Sequence, residues 1–189
     1  MKITAVEPIH LRVPNVEAIP DGTLDVLIVR IHTDEGITGV GEVTSQSYVC
    51  KACFEAPRSA ARRHGLTSIL LGEDPTDPVA LWEKMYYETN RYGRRGAAIH
   101  AISGADIALW DIKGKSLGVP IYELLGGPVR DKVPLYTHVH DQTPYQAGSI
   151  KDGKTEYRTP TIQEMVNAAK EAKSAGYQAI KTDPFPPDD

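Results

Sequence analysis

Between Arg94 and Gly127 the chain reads RRGAAIHAISGADIALWDIKGKSLGVPIYELLGG, and no other segment constrains the fold as tightly. Ile99, Ile102, Leu109 and Ile112 recur at spacings of three and seven, which places them on one face of an α-helix. Lys113 and Lys115 lie near its end, where cations complement the helix dipole. Gly118 and Pro120 then stop it. A long, alanine-rich helix of this kind needs a sheet or other helices to cover its apolar face. At its entrance the Arg94-Arg95 pair reads either as an anion-reading patch or as a solvated helix start.

The flanking sequence supplies that partner. Residues 2–13 carry β-branched and apolar residues in loose alternation and read as a first strand. Residues 15–23, broken by Pro20 and Gly22, read as a loop. Residues 25–32 and 37–43 read as two strands joined by a turn at Asp34-Glu35-Gly36, the second thinned by Gly39 and Gly41. Helical stretches follow at 48–56 and towards Leu71-Gly72. Asp77-Pro78 reads as a helix start, with a carboxylate at the cap and proline in the first turn. Leu81, Trp82, Met85 and Tyr86 form its apolar stripe.

From Lys132 onward the pattern changes. Residues 132–139 read as a strand, and 141–159 as a loop long enough to suggest function. Thr159-Pro160 reads as the cap of a helix carrying Ile162, Met165, Val166, Ala169 and Ala172 and ending at Gly176. Residues 177–182 read as another strand. Strand, helix and strand in that order make a βα unit whose parallel pairing calls for more strands on the same sheet.

Composition narrows the partners. With formal net charge −4 and no basic block, nucleic acid and anionic membrane are not expected as partners. No run of 18 apolar residues occurs and the start lacks the apolar region of a signal peptide, so a soluble cytoplasmic protein is expected. The two cysteines, Cys50 and Cys53, have the spacing of a redox couple or half a zinc site. No second ligand pair accompanies them, and they read as two buried thiols on a helix.

The run from Arg94 to Gly127, set between that meander and that βα unit, resembles the mandelate racemase/muconate lactonizing enzyme branch of the enolase superfamily. The resemblance implies an α+β capping domain, a three-stranded antiparallel meander plus helices, over residues 1–127. Residues 128–189 would then be the start of a modified (β/α)-barrel, truncated after the second barrel strand. It implies Mg²⁺ as the cofactor of the intact enzyme, with three carboxylate ligands and a His base expected beyond residue 189. No metal ligand is expected within the chain. A small-molecule sugar acid as substrate and a dimeric or octameric homo-oligomer are implied as well. Asp106 and Asp111 would pair with the barrel rather than act in catalysis.

The same resemblance assigns the site. Barrel enzymes place chemistry at the C-terminal ends of their strands, and Lys181-Thr182-Asp183 stands at the second. The racemases carry Lys-x-Lys there; this chain keeps Lys181 but has Asp183 in place of the second lysine, a pattern similar to the sugar-acid dehydratases. Lys181 and Asp183 are thus the expected catalytic residues. His138 at the end of the first barrel strand, and Gln46 in a loop of the cap, are the expected substrate contacts. An α-proton next to a carboxylate is barely acidic, so cations must stabilise the developing dianion. The implied reaction is Mg²⁺-dependent dehydration of an aldonate to a 2-keto-3-deoxy acid through an enediolate, the chain alone being an inactive N-terminal fragment. A racemase or cycloisomerase, and a non-catalytic capping or binding module, are the alternatives.

Overall fold

A computed structural model describes residues 1–12, 14, 25–60, 64–138, 149–151, 154–156 and 161–181. The chain divides into two units, Met1–Val13 with Asp25–Pro128, and Pro14–Leu24 with Val129–Asp189.

The first unit is a sheet covered on one face by helices. Its strands β1 (Ile3–Leu11), β2 (Val26–Thr33) and β3 (Thr38–Val43) lie in the order β1-β2-β3, both pairings antiparallel. Alternation decides which side is buried: Leu27, Val29 and Ile31 of β2 and Gly39, Gly41 and Val43 of β3 point inward. On the outer face Glu7 takes a hydrogen bond from His32 Nε2 at 2.9 Å and faces Arg30 at 3.8 Å. That contact with His32 holds the exposed Glu7 carboxyl below the usual carboxylate range.

The helices are α1 (Ser47–Glu55), α2 (Leu66–Leu70), α3 (Pro78–Thr89), α4 (Ala97–Leu117) and the short α5 (Ile121–Leu124). Asp77 caps α3 as its sequence predicts, its Oδ1 accepting from Ala80 N at 3.1 Å. Gly118 ends α4 in the left-handed conformation, φ 70°. Phe54, Leu66, Leu70, Met85, Ile102, Leu109 and Ile112 close the core against the inner face of the sheet. The stripe expected on α3 is only half right. Leu81 and Met85 are buried, whereas Trp82 and Tyr86 stack on each other at 5.3 Å on the solvent side. They lie one residue further round the helix, which turns their rings out of the core.

In the second unit, β4 (Tyr136–His138) pairs in parallel with β7 (Ala179–Lys181), and α6 (Ile162–Ser174) lies between them in sequence. Both strands are shorter than the sequence suggests; Pro134 has no N–H to give a ladder and holds back the start of β4. Val139 and Thr182 lie outside the described residues. Two departures are corrections. The stretch 141–159, read as loop, contains an antiparallel hairpin of β5 (Ser149–Lys151) and β6 (Lys154–Glu156). The cap of α6 is Thr161 rather than Thr159: its Oγ1 accepts from Glu164 N while Glu164 Oε2 accepts from Thr161 N at 2.7 Å, a reciprocal capping box.

Candidate functional site

Parallel pairing aligns strand ends, and in the second unit it aligns two of the expected site residues. His138 and Lys181 are direct register partners, each the last residue of its strand, at the C-terminal edge of β4 and β7. Lys181 is exposed there. Asp183 lies outside the described residues. A cavity of about 470 Å³ lined by Lys132 to Leu135 and Ala175 to Gln178 belongs to the opposite end of the same strands.

Gln46 belongs to the first unit, directly before α1. Its carbonyl accepts from Cys50 N at 3.0 Å, while its side-chain amide makes no cap hydrogen bond and stands exposed. Sequence reasoning missed the frame that holds it. Ser47 Oγ donates to Asp25 O at 3.0 Å, Asp25 Oδ2 meets His10 Nε2 at 2.9 Å, and the His10 ring packs on Tyr48 with centroids 4.1 Å apart. The end of β1, the start of β2 and the start of α1 are thereby tied together. No local pattern announces this, because His10 and Asp25 become neighbours only through strand pairing. The stretch 15–23, read as a loop, lies outside the described residues.

Asp111 is engaged at the edge of β3. Its Oδ2 accepts from Val40 N at 2.9 Å and from Lys115 Nζ at 2.6 Å, both within the first unit. Asp106 is half-buried; desolvation pushes its carboxyl above the usual range, against a hydrogen bond from the Trp110 side chain that lowers it. Cys50 is buried and Cys53 half-buried on α1, both free thiols. Arg94 and Arg95 stand exposed at the entrance to α4 and line a cavity with Tyr86. Among the described residues no three His, Cys, Asp or Glu side chains come together as a metal site. No helix there is long and apolar enough to cross a membrane.

Known proteins share this arrangement. The family described as mandelate racemase / muconate lactonizing enzyme, N-terminal domain, matches residues 2–126. A D-galactonate dehydratase from Xanthomonas oryzae pv. oryzae is 44% identical over 135 residues, 70% of this chain and 32% of that protein. The crystal structure of the 3,6-anhydro-D-galactonate cycloisomerase from Zobellia galactanivorans superposes with TM-score 0.70 at 30% identity, over 96% of this chain and 42% of that one. A mandelate racemase/muconate lactonizing protein from Paracoccus denitrificans, solved in complex with magnesium, gives 0.67 at 27% identity over 96% of this chain and 41% of that one. The chain therefore spans about a third of the length of the dehydratase it matches. With its three-stranded meander covered by the long helix of the Arg94–Gly127 run, the chain belongs to the mandelate racemase / muconate lactonizing enzyme family and carries its N-terminal capping domain.

Proposed function

We propose that the protein to which this chain belongs is a Mg²⁺-dependent sugar-acid dehydratase, taking an aldonate to a 2-keto-3-deoxy acid. The observation that carries the reading is the pairing of His138 with Lys181 at the C-terminal edge of parallel strands, in a chain 44% identical to D-galactonate dehydratases over most of its length. Residues 1–127 act as the cap and 128–189 as the opening of the barrel. The described residues do not supply a magnesium site, and its ligands are assigned beyond residue 189.

The Lys181 ammonium sits beside the substrate carboxylate and stabilises the negative charge that develops as the α-proton leaves. Asp183, two residues on, holds a substrate hydroxyl or moves a proton to it as water departs. His138, the register partner of Lys181 across the sheet, hydrogen-bonds the hydroxyls of the same substrate, and Gln46 of the cap is assigned as a further substrate contact. The chain of 189 residues alone is inactive on this reading. The whole protein is a homo-oligomer, a dimer or octamer.

The test is to incubate the full-length protein with D-galactonate and a panel of aldonic acids and assay 2-keto-3-deoxy acid. Lys181→Met should lower kcat by at least a hundredfold with the melting temperature unchanged. Absence of keto acid with every member would overturn the reading. The likeness to a cycloisomerase favours one second reading, isomerisation on the same scaffold. Its mark is exchange of the substrate α-proton with solvent deuterium without loss of water.

A further inference from the structure

A cavity of about 550 Å³ opens where α3 passes into α4, lined by Tyr86, Gly93, Arg94 and Arg95. Two features of this connection are unusual. Among the described residues no ion pair engages either guanidinium, although the chain is acidic overall. Arg94 is also the one non-glycine residue with positive φ, 65°, among the described residues.

The backbone explains how Arg94 is held. Arg95 N donates to Gly93 O at 2.9 Å, closing a three-residue turn with Arg94 at its centre. Gly93 N donates to Thr89 O at 2.7 Å and anchors that turn to the end of α3. Tight turns with positive φ at the centre are strained for any side chain, and glycine relieves them. Glycines stand close by at positions 93 and 96, yet the strained position carries an arginine. Strain of this kind persists where the surroundings hold it in place, and it clusters at active sites and ligand clamps. Tyr86, which also lines the cavity, lies flat against Trp82 with an interplanar angle of 7°. The start of α4 is moreover fixed to α1, since Cys50 Sγ reaches Ala97 O at 3.5 Å. Cys50 lies one turn beyond Gln46, so the cavity and Gln46 flank helix starts that are joined directly.

We propose that Arg94 and Arg95 form an oxyanion-binding site that takes the carboxylate or phosphate-ester group of a small molecule. Guanidinium is planar and binds such groups through paired N–H donors, and two arginines lining one cavity match the several oxygens of one oxyanion. The proposal does not depend on the dehydratase reading.

The test uses the 189-residue chain and two anions, inorganic phosphate and D-galactonate, each against potassium chloride at matched ionic strength. Thermal unfolding and backbone-amide NMR are the readouts. Arg94→Gly removes one cation and relieves the positive φ, so it should melt no lower than the parent in chloride; Arg95→Gln removes the other cation. At least one anion should raise the melting temperature of the parent and shift the amides of residues 93–97. Each variant should bind it at least tenfold more weakly, and the double variant should show no shift. A response to both anions defines a general oxyanion site; galactonate alone indicates a carboxylate ligand, and phosphate alone a phosphate ester. The proposal is overturned if neither anion acts on the parent, or if the double variant responds as the parent does.

Discussion

Gly41 of β3 and Gly104 of α4 meet backbone to backbone: a Cβ on Gly41 would fall against the carbonyl oxygen of Gly104. Two residues along the strand, a Cβ on Gly39 would strike Ala108 O in the same way. Ala101, Ala105 and Ala108 are buried on this side of α4, so helix and strand close through small residues. Glycine weakens a strand by propensity; here that loss is exchanged for close packing of helix on sheet.

Gly41→Ala should therefore lower stability by about 2–4 kcal/mol, because rigid backbone on both sides leaves the methyl group nowhere to go. Gly36→Ala is the control. Gly36 has open space around it but φ 79°, so only the conformational penalty of about 1 kcal/mol applies. Urea denaturation of both variants checks the order; equal losses would mean that the helix can lift from the strand freely.

The outer edge of β3 is occupied by two side chains of α4. Asp111 accepts from Val40 N, and Lys115 Nζ donates to Thr38 O at 2.7 Å, so one i, i+4 pair takes the place of a fourth strand. Covering an edge in this way guards against pairing with other chains. Asp111→Ala should cost about 1–2 kcal/mol by leaving the Val40 N–H without its acceptor. Asp111→Asn should cost less and keep the edge closed. The exposed Asp111–Lys115 ion pair itself contributes only about 0.3–0.5 kcal/mol, so the loss in Asp111→Ala should persist at high salt. Light scattering on warming should rise for the alanine variant alone, and a loss that disappears in salt would contradict this account.

Much of this fold is legible in local pattern. Alternation gives the meander, Asp77-Pro78 the start of α3, and Gly118 the stop of α4. The misses have physical reasons. The β5–β6 hairpin flanks Asp152-Gly153, a strong turn signal, but Ser149–Lys151 and Lys154–Glu156 offer a single large aliphatic residue, so apolar alternation does not reveal them. Proline at a first helical position drew the cap of α6 to Thr159, while the T-x-x-E pattern of Thr161 and Glu164 marks it correctly. Of the site, the adjacency of His138 and Lys181 depends on parallel register, which follows only once both strand ends are placed. The His10–Asp25–Ser47 frame depends on pairing across the sheet, and no spacing within one segment encodes it.

Helix capping gives a second, smaller stability effect. Asp77→Ala removes the acceptor for Ala80 N and should lower stability by about 1 kcal/mol, whereas Asp77→Asn should cost only a few tenths. In the second unit, Thr161→Ala removes the hydroxyl that accepts from Glu164 N and leaves only the backbone half of the capping box. Amide exchange in the first turn of α6 should then accelerate while that of α3 stays unchanged. Acceleration in both helices would mean that the cap acts globally rather than on its own turn.

The two thiols of α1 give a pH-dependent prediction. Desolvation pushes Cys50 up from its ordinary value, and Cys53 is raised by desolvation first and by proximity to Cys50 second. Thiolate is the reactive form, so at pH 8 iodoacetamide should label the folded chain more slowly than the urea-unfolded chain, with buried Cys50 slower than half-buried Cys53. The linkage has a definite sign. The folded thiols hold their protons to higher pH than the unfolded ones, so their stabilising contribution is complete below the unfolded value of 9.0 and disappears as pH rises through the folded one. Replacing both cysteines by alanine should therefore flatten the fall in melting temperature above pH 9 and leave the curve at pH 6–8 parallel to the parent's. Fast labelling of both thiols in the folded chain, or an unchanged alkaline limb in the variant, would show that α1 opens to solvent and that burial does not set their acidity.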